Sequence, residues 1–198
     1  MEDLSYPPAR EAFASFGLAL EYIAQDGAGM DLDALETLCD LRKVSAVYVT
    51  PHHQFPTTVM LSVARRIRLL ELARRYDFLV IEDDYDHEFH FSHHPMLPLA
   101  SMDTDGRVIH IGSLSKVLAP GLRLGYIAAP EAVINCCMNE IMLIYRQGSA
   151  LTELAVAELM RTGELKRHVR RTLKIYKERR DYTVQRVGEL IPYATLTI

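Results

Sequence analysis

The sequence of 198 residues is 49% hydrophobic and 24% charged, with a formal net charge of −4, the balance of a soluble globular protein with room for a sizeable core. That charge gives the chain as a whole no pull toward nucleic acid or acidic membranes, and no apolar run approaches the roughly 20 residues that span a bilayer. Cys39, Cys136 and Cys137 lack metal or redox spacing; with an N-terminus (MEDLSYPPAR) unlike a signal peptide, they predict a reducing, cytoplasmic setting.

In chain order, Leu18–Ala24 is a strand candidate, and Leu32–Leu41 a helix begun by an Asp31 cap. Ala46–Thr50 (AVYVT) has the composition of a buried strand. A loop through Pro51 and Pro56 leads to a helix in which Met60, Val63, Ala64, Ile67 and Leu70 recur at helical spacing. Phe78–Ile81 (FLVI) and Val108–Ile111 (VIHI) are two further buried strands, and Leu124–Ala128 (LGYIA) a fourth. Strands alternating with helices predict a parallel sheet with crossover helices. From about Pro130 to Leu190 the pattern is helical. Leu151, Leu154, Ala155 and Leu159 share one face, and Met138 and Met142 suit helix-core or interface packing. Arg161–Arg180 holds nine Lys/Arg against two acidic residues, which reads as the solvated face of a connecting helix.

The polar residues cluster where strands end. FLVI runs into Glu82-Asp83-Asp84-Tyr85-Asp86, and VIHI into Gly112-Ser113-Leu114-Ser115-Lys116. Parallel α/β sheets bind ligands outside the carboxyl ends of their strands, so both clusters belong to one edge. A carboxylate there can pair with a protonated ring nitrogen. A lysine in a partly desolvated pocket beside other cations becomes a nucleophilic amine able to form an imine. Serine hydroxyls and an arginine fork suit a phosphate. Together these are what pyridoxal phosphate (PLP) asks of a protein.

Three stretches, VYVTPHHQFPTT (Val47–Thr58), IEDDYDHEF (Ile81–Phe89) and IGSLSKVLAPGLRLGYIAAP (Ile111–Pro130), resemble fold-type I PLP enzymes. Among these they are most similar to the aminotransferase-like domain of MocR-type regulators of the GntR superfamily. ELKRHVRRTLKIYKERRD (Glu164–Asp181) is similar to the start of that family's C-terminal region, and the likeness runs from about Glu2 to Pro192. The resemblance implies a three-layer α/β/α fold with a mostly parallel sheet, followed by a helical segment. Residues 1–145 would form part of the PLP-binding large domain, and 146–198 the helical connection and start of a small C-terminal domain. Lys116 would form the Schiff base with PLP, Asp83 face the pyridine nitrogen, and Tyr85 bond the phenolic oxygen. Ser113, Ser115 and Arg123 would contact the phosphate. His53 and Gln54 would border the ring, with Tyr6 near the entrance.

The chain departs from the wider family at Phe55-Pro56-Thr57-Thr58, where most aminotransferases have Asn-Pro-Thr-Gly; the QFPT form is that of the MocR type. The family's Gly/Ser-rich phosphate turn and its DNA-binding winged helix-turn-helix are expected before Met1. The arginine that clamps a substrate carboxylate is expected beyond Ile198. Three functions fit: a PLP-binding domain sensing an amine or amino acid for a regulator, an aminotransferase using Lys116 as proton shuttle, or a cofactor-free dimerisation module. A homodimer is expected in each, with DNA contacted only through a domain outside this chain and no contact with membranes. Asp86, His87, Glu88, His90, His93 and His94 match no standard metal spacing, so exposed loop histidines and no metal are expected.

Overall fold

The computed structural model describes residues 1–91, 96–146 and 148–193. Helix α1 (Pro7–Ser15) precedes a two-stranded hairpin of β1 (Gln25–Asp26) and β2 (Gly29–Met30). Then follow α2 (Leu32–Leu41), β3 (Ala46–Val49), α3 (Val63–Tyr76), β4 (Leu79–Asp84), α4 (Leu99–Met102), β5 (Val108–Ser113) and β6 (Gly125–Ala128). The main sheet has the order β3-β4-β5-β6, parallel through β5 and antiparallel at β6. This is the mostly parallel α/β sheet that the sequence predicts.

The local causes are readable. The Asp31 carboxylate accepts from the backbone N–H groups of Asp33 and Ala34, capping α2 where the sequence places its start. Ser62 caps α3, and Met60 falls outside that helix. In α3 the buried residues Arg66, Leu69, Leu72 and Ala73 recur at helical spacing. They pack with Leu35 of α2 onto the face of the sheet that carries Val47, Val49, Val80 and Val108. Leu69, Phe78, Val80 and Leu99 are wholly buried, each contributing about 1.5–3 kcal/mol of hydrophobic stabilisation. On the opposite face, Phe13 of α1 meets Tyr48 edge to face, with centroids 5.6 Å apart.

Arg66 binds this layer together from within. It is fully buried, and its guanidinium donates to the carbonyls of Leu61 at 2.9 Å, Leu97 at 3.0 Å and Pro51 at 2.6 Å. The hairpin is held by Arg65, which donates to Asp26 and to the Gly29 carbonyl. Gly29 has φ +100°, and a Cβ there would sit 2.7 Å from Leu61 Cδ1, so both conformation and space require glycine.

The structure corrects two boundaries. Leu18–Ala24 is no strand: Ile23 makes a single bridge to Glu2, while Leu18 and Tyr22 stay exposed. The strands also run further than their apolar cores, β4 through Asp84 and β5 through Ser113.

Contacts divide the chain into two units, 1–87 with 96–147, and 88–95 with 148–198. The first includes α5 (Glu131–Tyr145), where Met138 and Met142 are each 58% exposed rather than packed in a core. In the second, Gly163 at φ +74° separates α6 (Ala150–Arg161) from α7 (Glu164–Leu190). Val156 is buried there, whereas Leu151 and Leu154 are exposed. Within the basic stretch Arg161 pairs with Glu158, and Arg167 with Glu164. Tyr176 meets Phe89 edge to face, and Arg180 lies over the Phe91 ring. No helix among the described residues is long and apolar enough to cross a membrane.

Candidate functional site

Strand alternation sends successive residues to opposite faces, and this divides the acidic run at the end of β4. Glu82 and Asp84 are buried on the helix-covered side, with His110 of β5 beside them. Asp83 points the other way. The register pairs Asp83 with Ile111 and Asp84 with Gly112, which puts Ser113 at the same carboxyl edge, one residue past the last pair. The two predicted clusters therefore share one edge of the sheet.

Asp83 is the anchor of the other side, the face that carries Tyr48. Tyr48 Oη donates to its Oδ2 at 2.5 Å. Burial pushes the Asp83 carboxyl above its ordinary value, the Tyr48 hydrogen bond pulls it back, and the charges of Asp84 and Asp86 push it up again. Burial, together with Asp83, also raises the Tyr48 phenol far above its usual range, so Tyr48 stays a donor. Sequence reasoning did not find Tyr48. The signal was present: it lies on the same face as Ile81, its register partner, and hence as Asp83 two residues on. Tyr85 is half-buried, and burial beside the carboxylates raises its phenol too.

Beyond β5 the chain turns. Ser113 Oγ accepts from the Ser115 N–H at 3.2 Å, and the Leu118 N–H bonds the Leu114 carbonyl at 2.9 Å. Lys116 stands on this turn and is exposed, which corrects the expectation of a desolvated pocket around it. Arg123 is exposed at φ +53°, closing the short Pro120–Leu122 helix. Among the described residues neither Lys116 nor Arg123 has a hydrogen-bonded side chain or an ion pair. Gly112 lies under a ring: a Cβ there would sit 2.1 Å from Tyr126 Cζ.

The neighbouring loop is more structural than expected. Gln54 is buried, donating to the carbonyls of Leu4 and Phe55 and accepting from the Thr57 N–H and hydroxyl. Its amide is committed to the loop. His53 Nδ1 lies 2.9 Å from Asp86 Oδ1, a contact that raises its pKa despite burial. Tyr6 packs edge-on against Phe55 at 5.4 Å. A cavity of about 340 Å³ lies between Phe13, Leu18, Leu35, Leu38 and Tyr48; none of the six predicted cofactor residues lines it.

On the helix-covered side, Glu82 accepts from the backbone N–H groups of Leu99 and Ala100 and pairs with His110 Nδ1 at 2.9 Å. Asp84 lies beside His52 and His87. Burial works to raise its carboxyl, but the nearby imidazoles of His52, His87 and His110 hold it below the ordinary value. Of the sequence-level histidine cluster, His87 joins this group, whereas His93 and His94 lie outside the described residues.

Comparisons with known proteins bear on the fold and the family. The helix-turn-helix (HTH-type) transcriptional regulator YdeL of Bacillus subtilis is 34% identical over 187 residues, covering 94% of this chain and 39% of YdeL. Aromatic-amino-acid aminotransferase 1 of Thermococcus litoralis is 34% identical over 197 residues, 97% of this chain and 47% of that protein. The chain thus spans less than half the length of these relatives. A crystal structure of Pyrococcus horikoshii kynurenine aminotransferase, in complex with PMP, superposes with a TM-score of 0.91 at 31% identity, over 98% of this chain and 49% of that one. The family model for aminotransferase class I and II matches residues 1–197, and with a parallel sheet that brings Asp83 and the Ser113–Lys116 turn to one edge, the chain belongs to that family.

Proposed function

We propose that this chain is the PLP-binding, effector-sensing part of a MocR/GntR-type transcriptional regulator, taking an amine or amino acid through imine exchange at Lys116. The observation that carries the reading is the shared edge: a half-buried carboxylate, Asp83, at the end of one strand and the Ser113–Lys116 turn at the end of the next. An ionised carboxylate half-buried beside one phenolic donor favours a cationic partner, and a protonated pyridine nitrogen is such a partner. This is the fit of the residues to the cofactor that the family implies. Asp83 would keep the ring nitrogen charged and Tyr85 would bond the phenolic oxygen. Ser113, Ser115 and Arg123 would hold the phosphate, and Lys116 would carry the covalent link. PLP, when bound, supplies an electron sink and an aldehyde carbon that amines attack.

Ligand sensing then needs a ligand that binds one conformation better than another. Release of Lys116 from the cofactor supplies that difference, because it frees the lysine and the ring together. The reading assigns residues 1–145 to the large PLP-binding domain and 146–198 to the connection toward a smaller C-terminal domain. It also assigns the protein to the cytoplasm as a homodimer, with DNA bound by a winged helix-turn-helix elsewhere in the protein. The QFPT form at Gln54–Thr57 and the helix-turn-helix relative support this reading over the enzyme.

An aminotransferase is the second reading, favoured by the Thermococcus relative at equal identity. One experiment separates the two. PLP is added to the protein and to Lys116→Ala, and the visible absorption of lysine-bound cofactor is followed, then amino acids are added. The sensor reading expects a band in the wild type only and a spectral change without continuing keto-acid production. Identical spectra in both proteins overturn the Lys116 assignment, and sustained turnover overturns the sensor.

A further inference from the structure

We propose that His52, Asp84 and His87 form a binding site for a divalent transition-metal ion of the zinc class, on the face of the sheet opposite Asp83. Nothing in this proposal depends on the cofactor reading.

The first observation is a buried carboxylate whose close partners among the described residues are the imidazoles of His52 and His87. Asp84 is 4% exposed, and neither of its side-chain oxygens has a hydrogen-bond partner among the described residues. Buried charges in proteins are paired, hydrogen-bonded or bound to metal. Apart from the His52 and His87 imidazoles, the nearby groups are committed elsewhere. Glu82 and His110 are joined to each other, and Glu82 also accepts from the α4 backbone. Arg66 lends charge but directs its N–H groups to the carbonyls of Leu61, Leu97 and Pro51.

The second observation is the spacing of the donor atoms. His52 Nδ1, also buried and without a hydrogen-bond partner, stands 3.2 Å from Asp84 Oδ2. His87 Nδ1 stands 3.3 Å from the same oxygen. An ion with metal–ligand bonds of about 2.0–2.1 Å in tetrahedral geometry holds its ligands roughly 3.3 Å apart. The three donors lie within 4.8 Å of one another, so one ion can reach all three.

The third observation is the orientation of His52. Its Nε2 lies 2.6 Å from the Met96 carbonyl oxygen, an acceptor, so Nε2 carries a proton, and Nδ1 faces Asp84. Metal-bound histidines characteristically donate their second nitrogen in this way. His87 Nδ1 also approaches His52 Nε2 at 3.2 Å, with the two rings edge to face. Two imidazoles and one carboxylate suit zinc, cobalt or nickel rather than magnesium or calcium, and three protein ligands leave a coordination position for water. The ligands come from the Pro51–Pro56 loop and from the end of β4 and the residues after it, so a bound ion would tie that loop to the strand that carries Asp83.

The test is a Co²⁺ titration of chelator-treated full chain, followed by visible d–d absorption, with Zn²⁺ competition and thermal melting as second readouts. The site expects one equivalent of Co²⁺, displaced by Zn²⁺, with affinity at least tenfold weaker in His87→Ala and in Asp84→Asn. His90→Ala serves as the control for the neighbouring loop histidines and should bind as the wild type does. Zinc should raise the melting temperature of the wild type and leave that of His87→Ala unmoved. Absence of a d–d band at one equivalent overturns the proposal. So does a band lost in His90→Ala and kept in His87→Ala, which would be adventitious binding by loop histidines. A wild-type melting temperature indifferent to metal also overturns it, and would leave an imidazolium–carboxylate pair in its place.

Discussion

The phenol of Tyr48 and the carboxylate of Asp83, 35 residues apart in sequence, are joined by a hydrogen bond of 2.5 Å across β3 and β4. It is the one bond that favours the ionised form of a carboxylate which burial otherwise pushes toward protonation. Tyr48→Phe keeps the ring and removes the donor. A hydrogen bond to a charged group contributes about 1.5–3 kcal/mol, so PLP affinity should fall by about tenfold or more if Asp83 must be ionised to hold the ring nitrogen. Equilibrium titration with PLP measures this, and unchanged affinity would detach Tyr48 from the site.

Asp83 and Lys116 should fail differently. Lys116→Ala should abolish the visible absorption of lysine-bound PLP. Asp83→Asn should keep the covalent link but weaken retention of the cofactor by at least an order of magnitude, as expected when a charged hydrogen bond of about 1.5–3 kcal/mol is lost. Dialysis against buffer followed by absorbance of the retained cofactor separates the two outcomes. Equal retention in Asp83→Asn and wild type would remove Asp83 from the ring nitrogen.

Glu2 makes stability depend on pH. Burial raises its carboxyl to about 7, against the pull of hydrogen bonds from Thr50 and Gln54. The unfolded chain releases this proton near the ordinary carboxylate value, 4.5. Between the two the folded state binds more protons, so its stability is highest below the unfolded pKa and declines as pH rises toward 7. The shift corresponds to about 3 kcal/mol. Glu2→Gln should flatten the decline and be the more stable protein at pH 8. Melting temperatures at pH 5 and pH 8 test it, and parallel losses in both proteins would exclude Glu2 as the source.

Arg66→Met should be among the most damaging substitutions available in this chain. It keeps most of the side-chain volume but removes the Arg66 donor from the carbonyls of Leu61 and Leu97, and one of two donors from that of Pro51, which keeps the Leu61 N–H. At about 1–3 kcal/mol for the unsatisfied buried Leu61 carbonyl, with the lost bonds to Pro51 and Leu97 adding to it, a loss of about 1–3 kcal/mol or more is expected in urea unfolding. Arg66→Lys should recover only part of it, since a single ammonium cannot reproduce the planar fork.

Much of this molecule is written locally. Asp31 before an amphipathic stretch sets the start of α2, and AVYV, FLVI and VIHI are strands because nothing else suits short runs of buried β-branched residues. Other features depend on partners. Leu18–Ala24 has a strand-like composition, yet among the described residues only Ile23 bridges to a neighbour. Glu82, Asp83 and Asp84 disfavour strand by composition, and the ladder with His110, Ile111 and Gly112 overrides them. Five of the six residues proposed for the cofactor were legible as two clusters at strand ends, and Arg123 only through the family resemblance. Tyr48 was not, because which residues share a face across two strands is settled only by register. His52, Asp84 and His87 were hidden for the same reason, since the loop folding back over β4 brings them together.

The opposite aims of Glu82, Asp83 and Asp84 make the spacing from Phe78 to Tyr85 a ruler without slack. Removing or adding one residue there would turn two carboxylates outward and leave a single one among the imidazoles, undoing both sides at once. Changes of residue type in this stretch are graded injuries, while changes of length are total ones. Among relatives of this protein, insertions and deletions should therefore gather in the loop after Asp86 and leave the eight positions from Phe78 to Tyr85 constant in number.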